Sequence, residues 1–368
     1  ADGSQLADGS QLADGSQLAD GSQLADGSQL ADGSQLADGS EEALLWRQTK
    51  TDLAARALGG DVLSASDDFF AEKDNLLLDS EPVFLPEKYT AYGKWMDGWE
   101  SRRRRSGDQD WVIVRLATLG MVEGVEVDTR HFKGNAPGAV QLEYIASESD
   151  PDMHSHWQSM TARIAIHADH RNLISLDQPV EATHIRLRIF PDGGVARLRV
   201  YGKILFNTQN LLPNEPVDLS ALMNGARPVN CSDAFFSPMQ NLLRPGRGAD
   251  MHDGWETRRR RNGGHDWMII KLATPGKIGR VEIDTLHFKG NYPDRGGLEG
   301  CYFEGEVPDD SAQWQSLLPD QKLHAHRNHT FVENLENTQE IYTHVRLNIY
   351  PDGGVSRLRV VGQPEQTK

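Results

Sequence analysis

Apolar and polar residues alternate along short stretches of this chain, and the same stretches occur twice. Asp110-Trp111-Val112-Ile113-Val114-Arg115-Leu116-Ala117 returns as Asp266-Trp267-Met268-Ile269-Ile270-Lys271-Leu272-Ala273, and Val125-Glu126-Val127-Asp128-Thr129 returns as Val281-Glu282-Ile283-Asp284-Thr285. Period-two alternation turns one face of the backbone to a core, so each stretch predicts a half-buried strand. Residues 184–190, then Pro191-Asp192-Gly193-Gly194, then 195–201 read as strand, turn, strand, which predicts a β-hairpin; 344–350, Pro351-Asp352-Gly353-Gly354 and 355–361 predict a second one. Helix signals are scarce: 52–60 reads as a short helix stopped by Gly, with a counterpart at 218–225. Many short strands divided by turn residues predict an all-β chain built as β-sandwiches.

The repetition sets the domain plan. The segment from Asp97 to Arg105, Asp-Gly-Trp-Glu-Ser followed by four Arg, recurs from Asp253 to Arg261 at a shift of 156 positions. Upstream, Ser66-Asp67-Asp68-Phe69-Phe70 matches Ser232-Asp233-Ala234-Phe235-Phe236 at a shift of 166, so the first copy carries ten extra residues around 81–92, read as a surface loop because they include Pro82 and Pro86. Residues 1–40 repeat Ala-Asp-Gly-Ser-Gln-Leu; one Leu in six cannot bury a core, so this tract is expected to be artefactual or disordered. The expected plan is therefore tract 1–40, first repeat 41–206, linker 207–214 and second repeat 215–368.

Charge and cysteine content narrow the function. The formal net charge is −16, and it remains −9 without the tract's seven Asp, which argues against nucleic acid as a partner despite the Arg runs. Two Cys, Cys231 and Cys301, at non-equivalent repeat positions read as reduced thiols of a cytoplasmic protein. No apolar run approaches the ~20 residues of a membrane span, so no membrane partner is expected.

The repeated polar clusters carry the candidate chemistry. Guanidinium forks hold carboxylates through paired hydrogen bonds, which makes Arg102, Arg103, Arg258 and Arg259 candidate anion clamps, with Glu100 and Glu256 expected to pair with neighbouring Arg. His131 with Asp128, and His287 with Asp284, are candidate acid–base pairs, and Lys133, Asn135, Lys289 and Asn291 are candidate donors to substrate oxygen. Trp99 and Trp255 offer aromatic platforms. Asp192 with Arg197, and Asp352 with Arg357, are candidate polar contacts at the mouth of each sandwich, although Asp-Gly also makes a hairpin turn unaided. The His clusters at 154–156, 167–170 and 324–326 have spacing that suits a divalent metal, but a polar loop is the stronger reading, and no cofactor is otherwise required.

Asp97-Gly98-Trp99-Glu100, Asp110-Trp111, His131-Phe132-Lys133-Gly134-Asn135 and Pro191-Asp192-Gly193-Gly194 with Arg197, each present twice in the same order, resemble the allantoicase family from about Asp61 to Gly362. The resemblance implies two tandem jelly-roll β-sandwich domains of galactose-binding-like type, and a homo-oligomer. It implies a hydrolase that converts allantoate and water to (S)-ureidoglycolate and urea in allantoin and purine degradation; that reaction needs an acid and a base, and the residues on offer are Glu100 or Glu256, Asp128 or Asp284, and His131 or His287. The alternative is a non-catalytic tandem module that binds a sugar or another small anionic ligand.

Overall fold

In the computed structural model the two alternating stretches at 110–117 and 125–129 join into one strand, and that strand organises its repeat. The structure describes residues 34–104, 109–212, 214–261 and 263–365. The principal strands of the first repeat are β1 (Asp61–Ala65), β2 (Asp110–Asp128), β3 (Ala139–Ile145), β4 (Arg171–Phe190) and β5 (Arg197–Ile204). The first half of β2 pairs with β1 and with the end of β4, which continues onto β3. Its second half pairs with β5 and with the start of β4. Register shifts interrupt the β2–β4 ladder between Ser175 and Val180 and again between Ala182 and His184, the local breaks that let a paired ribbon bend from one sheet face into the other. Val112, Val114 and Leu116 from the first half then meet Val125 and Val127 from the second, with Leu198 and Val200 of β5, in one apolar core. That is a sandwich closed around a folded ribbon.

The second repeat is built the same way from β6 (Arg227–Cys231), β7 (Asp266–Asp284), β8 (Arg295–Cys301), β9 (Asn328–Phe331), β10 (Tyr342–Tyr350) and β11 (Arg357–Pro364). The first half of β7 pairs with β6 and β10, and its second half with β9 and β11. Here β9 and β10 together do what β4 does alone. The chain is all-β, in two tandem sandwiches.

Three local expectations change. Neither predicted hairpin forms, because β4 and β5 lie on opposite edges of β2 rather than beside each other. After Phe190 the chain runs instead into a short pairing of Gly194-Val195 with Trp99-Glu100, and Arg197 then meets Asp128 at the far end of β2. The glycines serve that crossing: a Cβ on Gly194 would stand 1.9 Å from the Phe132 ring, and Gly193 holds φ 134° with a Cβ position 2.5 Å from the Asn135 carbonyl. Gly353 and Gly354 stand in the same relation to Asn291 and Phe288. The short helix expected over 52–60 is a single 3-10 turn, Arg56–Leu58, stopped by Gly59 at φ 107°, and Leu222–Asn224 with Gly225 copies it. A helix that was not expected, α1 (Glu41–Thr49), lies upstream of β1; Ser40 caps it through the Ala43 N–H, and Arg47 pairs with Glu126 at 2.7 Å.

Of the repetitive tract, residues 1–33 lie outside the described residues, while Ser34–Leu36 pairs antiparallel with residues 173–175 of β4. The connecting segment 207–214 holds a 3-10 turn at Thr208–Asn210. The repeats share packing: Ala55 and Leu58 of the first belong to the core of the second, and Gln240 donates to the Gln48 carbonyl. No helix among the described residues is long and apolar enough to cross a membrane.

Candidate active site

The turn that leaves β2 is fixed from beneath. Thr129 is fully buried and donates to the His167 carbonyl at 2.7 Å, and Phe132 is fully buried beneath Gly194. With those two residues pointing inward, His131 takes a left-handed backbone at φ 73°, and its N–H donates to Asp169 Oδ1 at 2.8 Å. Lys133 and Asn135 continue along the outer side of the turn. The Asn135 carbonyl accepts from Gly194 N at 2.7 Å, so the Pro-Asp-Gly-Gly segment sets the position of Asn135. Its Nδ2 donates to Glu100 Oε1 at 2.7 Å. Burial pushes the Glu100 carboxyl above the usual glutamate range, and the Asn135 hydrogen bond offsets only part of that.

These groups line a cleft of about 500 Å³ whose other wall is Phe70, Phe84, Tyr92, Lys94 and Met96. His131 stacks on Phe84, with ring centroids 6.0 Å apart and planes 19° apart, and its Nε2 lies 3.1 Å from the Pro82 carbonyl. A carbonyl only accepts, so Nε2 carries hydrogen and Nδ1 is the nitrogen left for chemistry. A carboxylate, an imidazole, an ammonium and an amide thus converge on one pocket, the equipment for proton transfer on a small polar substrate.

Several predicted residues lie elsewhere. Asp128 does not meet His131; it is buried, grips Arg130 (Nη2 to Oδ2, 2.6 Å) and faces a separate cleft between the two repeats. Asp284 likewise pairs with Arg247 at 3.3 Å, not with His287. Trp99 and Trp255 are fully buried core residues, their Nε1 atoms donating to the carbonyls of Asp67 and Asp233 at 2.7 and 2.8 Å, so neither is a platform for a ligand.

In each Arg run the first and third residues are committed to the fold. Arg102 clamps Asp67, Arg104 clamps the buried Asp110, and Arg258 and Arg260 repeat both pairs with Asp233 and Asp266. Arg103 and Arg259, the alternate positions, are exposed. Glu100 and Glu256 pair with Asn135 and Asn291, not with Arg. Asp192 and Arg197 also separate: Asp192 accepts from Arg104 N at 2.8 Å, while buried Arg197 pairs with Asp97 at 2.9 Å. Asp352 with Arg260 N, and Arg357 with Asp253, do the same in the second copy. The His clusters do not assemble a metal site: among the described residues no group of three or more His, Cys, Asp or Glu is placed to hold an ion.

The allantoicase repeat family matches the chain twice, over residues 51–205 and 217–365. A probable allantoicase of Photobacterium profundum is 44% identical over 327 residues, covering 88% of this chain and 98% of that protein. One of Pseudomonas aeruginosa is 45% identical over 319 residues, covering 85% and 96%. The chain belongs to the allantoicase family. Among solved structures, the crystal structure of allantoicase from Saccharomyces cerevisiae superposes with a TM-score of 0.76 at 32% identity, covering 90% of this chain and 99% of that one.

Each allantoicase repeat carries its own copy of the turn and its carboxylate. In the second, Asn291 donates to Glu256, His287 holds φ 72° with Nε2 2.9 Å from the Gly248 carbonyl, and Lys289 is exposed. What the motifs do not reveal is the opposite wall of the first-repeat cleft. Phe84, Tyr92, Lys94 and Met96 belong to no repeated motif; the signal for them was the ten-residue length difference between the copies, read as a plain surface loop.

Proposed function

We propose that this chain hydrolyses allantoate to ureidoglycolate and urea, in purine-nitrogen breakdown, and that the Glu100 cleft is where it does so. Family membership along almost the whole length of the relatives supports the reaction. The observation that carries the site is the hydrogen-bonded Glu100–Asn135 pair lining one cavity together with His131 and Lys133. Allantoate has a central carbon bearing a carboxylate and two ureido groups. One C–N bond to that carbon breaks, and a C–O bond from water forms. Glu100, ionised, takes a proton from the incoming water, and burial makes it a stronger base than a solvated glutamate. His131, protonated, delivers a proton from Nδ1 to the departing urea nitrogen, so the two transfers balance. Asn135 fixes the Glu100 rotamer through Oε1, and Lys133 orients substrate oxygen.

The rival reading, a tandem sugar-binding module, relied on exposed aromatic platforms, and Trp99 and Trp255 are in the core. The test is direct: incubate the chain with allantoate and assay urea. Release of urea, slowed by about 100-fold or more in His131→Asn, is the expected result. Asn accommodates a left-handed backbone, so that change removes the imidazole and leaves the turn in place. No urea from the unaltered chain would refute the reaction; full activity in His131→Asn would refute the role given to His131.

A further inference from the structure

Hydrogen bonds align the two repeats across the segment where their lengths differ. Val83 N donates to Asp97 Oδ2 at 2.9 Å, as Ala249 N donates to Asp253 Oδ2 at 3.1 Å. His131 meets the Pro82 carbonyl as His287 meets that of Gly248. Thirteen residues separate Val83 from Asp97, and three separate Ala249 from Asp253. The extra segment is therefore 84–93, and counting back from the paired Asp residues places Lys94 opposite Asp250 and Met96 opposite His252.

The consequences fall on the cleft. Phe84 and Tyr92, which wall it in the first repeat, have no counterpart in the second. Lys94 is held by the extra segment: its Nζ donates to the Pro86 carbonyl at 2.8 Å and lies 4.8 Å from the Phe84 ring and 5.3 Å from that of Tyr89. The other ammonium of the cleft, Lys133, lies 3.6 Å from Asp169, whereas Lys94 makes no ion pair among the described residues. An ammonium without a counter-ion in a half-enclosed, aromatic-walled cleft is a seat for a carboxylate. In the second repeat the corresponding position is a carboxylate, Asp250, which repels the same ligand.

We propose that hydrolysis is confined to the first repeat, and that Lys94, held in place by the extra segment, binds the substrate carboxylate there while the second repeat, with Asp250 at that position and no counterpart of Phe84 or Tyr92, turns over no anionic substrate. The inference rests on the proposed function, and it predicts the outcome in variants that disable the first repeat alone.

The experiment measures urea release from allantoate by the full chain and by Glu100→Gln, Lys94→Met and Lys94→Arg, each checked for folding by circular dichroism. The expected result is that Glu100→Gln retains a few per cent of activity or less. Lys94→Met should raise KM for allantoate about 10-fold or more with a smaller change in kcat, and Lys94→Arg should recover most of that loss. If both repeats worked, Glu100→Gln would keep about half the rate, and Lys94→Met would keep a component with the unaltered KM; either result overturns the inference and leaves the function standing. No urea from the unaltered chain overturns the function itself. The two positions lie in different segments, so failure of one variant to fold leaves the other to decide.

Discussion

Glu100 reaches into the cleft with one hydrogen bond, from Asn135, and its carboxyl titrates above the ordinary glutamate value of about 4.3. Because the proposed base must be ionised, kcat/KM should fall as the pH drops through that raised value, giving an acid limb displaced upward from the range of a solvated carboxylate. A pH–rate profile checks this, and the limb should vanish in the residual activity of Glu100→Gln. The stability effect has the opposite sense. A raised folded-state value means that the ionised group costs stability above it, so Glu100→Gln should unfold at an equal or higher temperature at neutral pH, with the difference shrinking as the pH falls into the carboxylate range. Trp99 is the contrary case: Trp99→Ala empties a fully buried site and should cost about 3–5 kcal/mol in denaturant unfolding. Both residues stand in the same repeated motif, Asp-Gly-Trp-Glu, and the motif does not say which faces inward. Repetition made both conspicuous in the sequence, but only the pairing of Trp99-Glu100 with Gly194-Val195 assigns their opposite faces.

Among the elements, alternation located the strands at 110–117, 125–129, 184–190 and 195–201 and their copies, because each has one buried face, but it did not pick out β1, β3, β6, β8 or β9. It could not show that 110–117 and 125–129 are one strand, since the half-exposed residues Ala117, Thr118 and Leu119 mark the passage from one sheet to the other, where the ladder to β4 is interrupted although the strand itself runs on. Nor could it deny the hairpin: Pro-Asp-Gly-Gly has turn chemistry, and its actual constraint, the close approach of Gly194 to Phe132, comes from residues far away in sequence. The candidate site was legible where it lies in repeated motifs, at Glu100, His131, Lys133 and Asn135, and illegible where a length difference supplies the wall. That wall gives a prediction at its own scale. Deleting 84–93 so that Val83 joins Lys94 should leave the sandwich folded, because the second repeat closes with the same short connection, while lowering allantoate turnover by about 100-fold or more. Circular dichroism and a urea assay on the deletion variant test the two halves of this statement.

For the whole molecule, the insertion of Ala55 and Leu58 into the core of the second repeat ties the repeats together. A single thermal transition is expected in calorimetry, and a fragment limited to residues 51–205 should be less stable than the full chain because it exposes that apolar surface. Acid should weaken the assembly in two stages. Burial lowers His344 to about 4, against the ordinary imidazole value near 6.5. Between those values the unfolded chain takes up the proton and the folded chain does not, so stability falls as the pH drops through that window. Glu306 follows: despite the upward push of burial, Arg227 and Lys271 hold it at about 2, so its contribution is present above the usual glutamate range and is lost as the pH falls towards 2. Melting temperature measured against pH should show both, and His344→Gln should flatten the upper one.

The segment 84–93 leaves the β-framework at Val83 and returns at Lys94 without disturbing the hydrogen bond from Val83 to Asp97, which the shorter repeat also keeps. In genetic terms, one in-frame insertion or deletion separates the two copies at this place, and neither core has to change to accommodate it. A duplicated gene can thus specialise its halves through the length of a single connection, and natural variation at this junction should track activity more closely than variation in the strands.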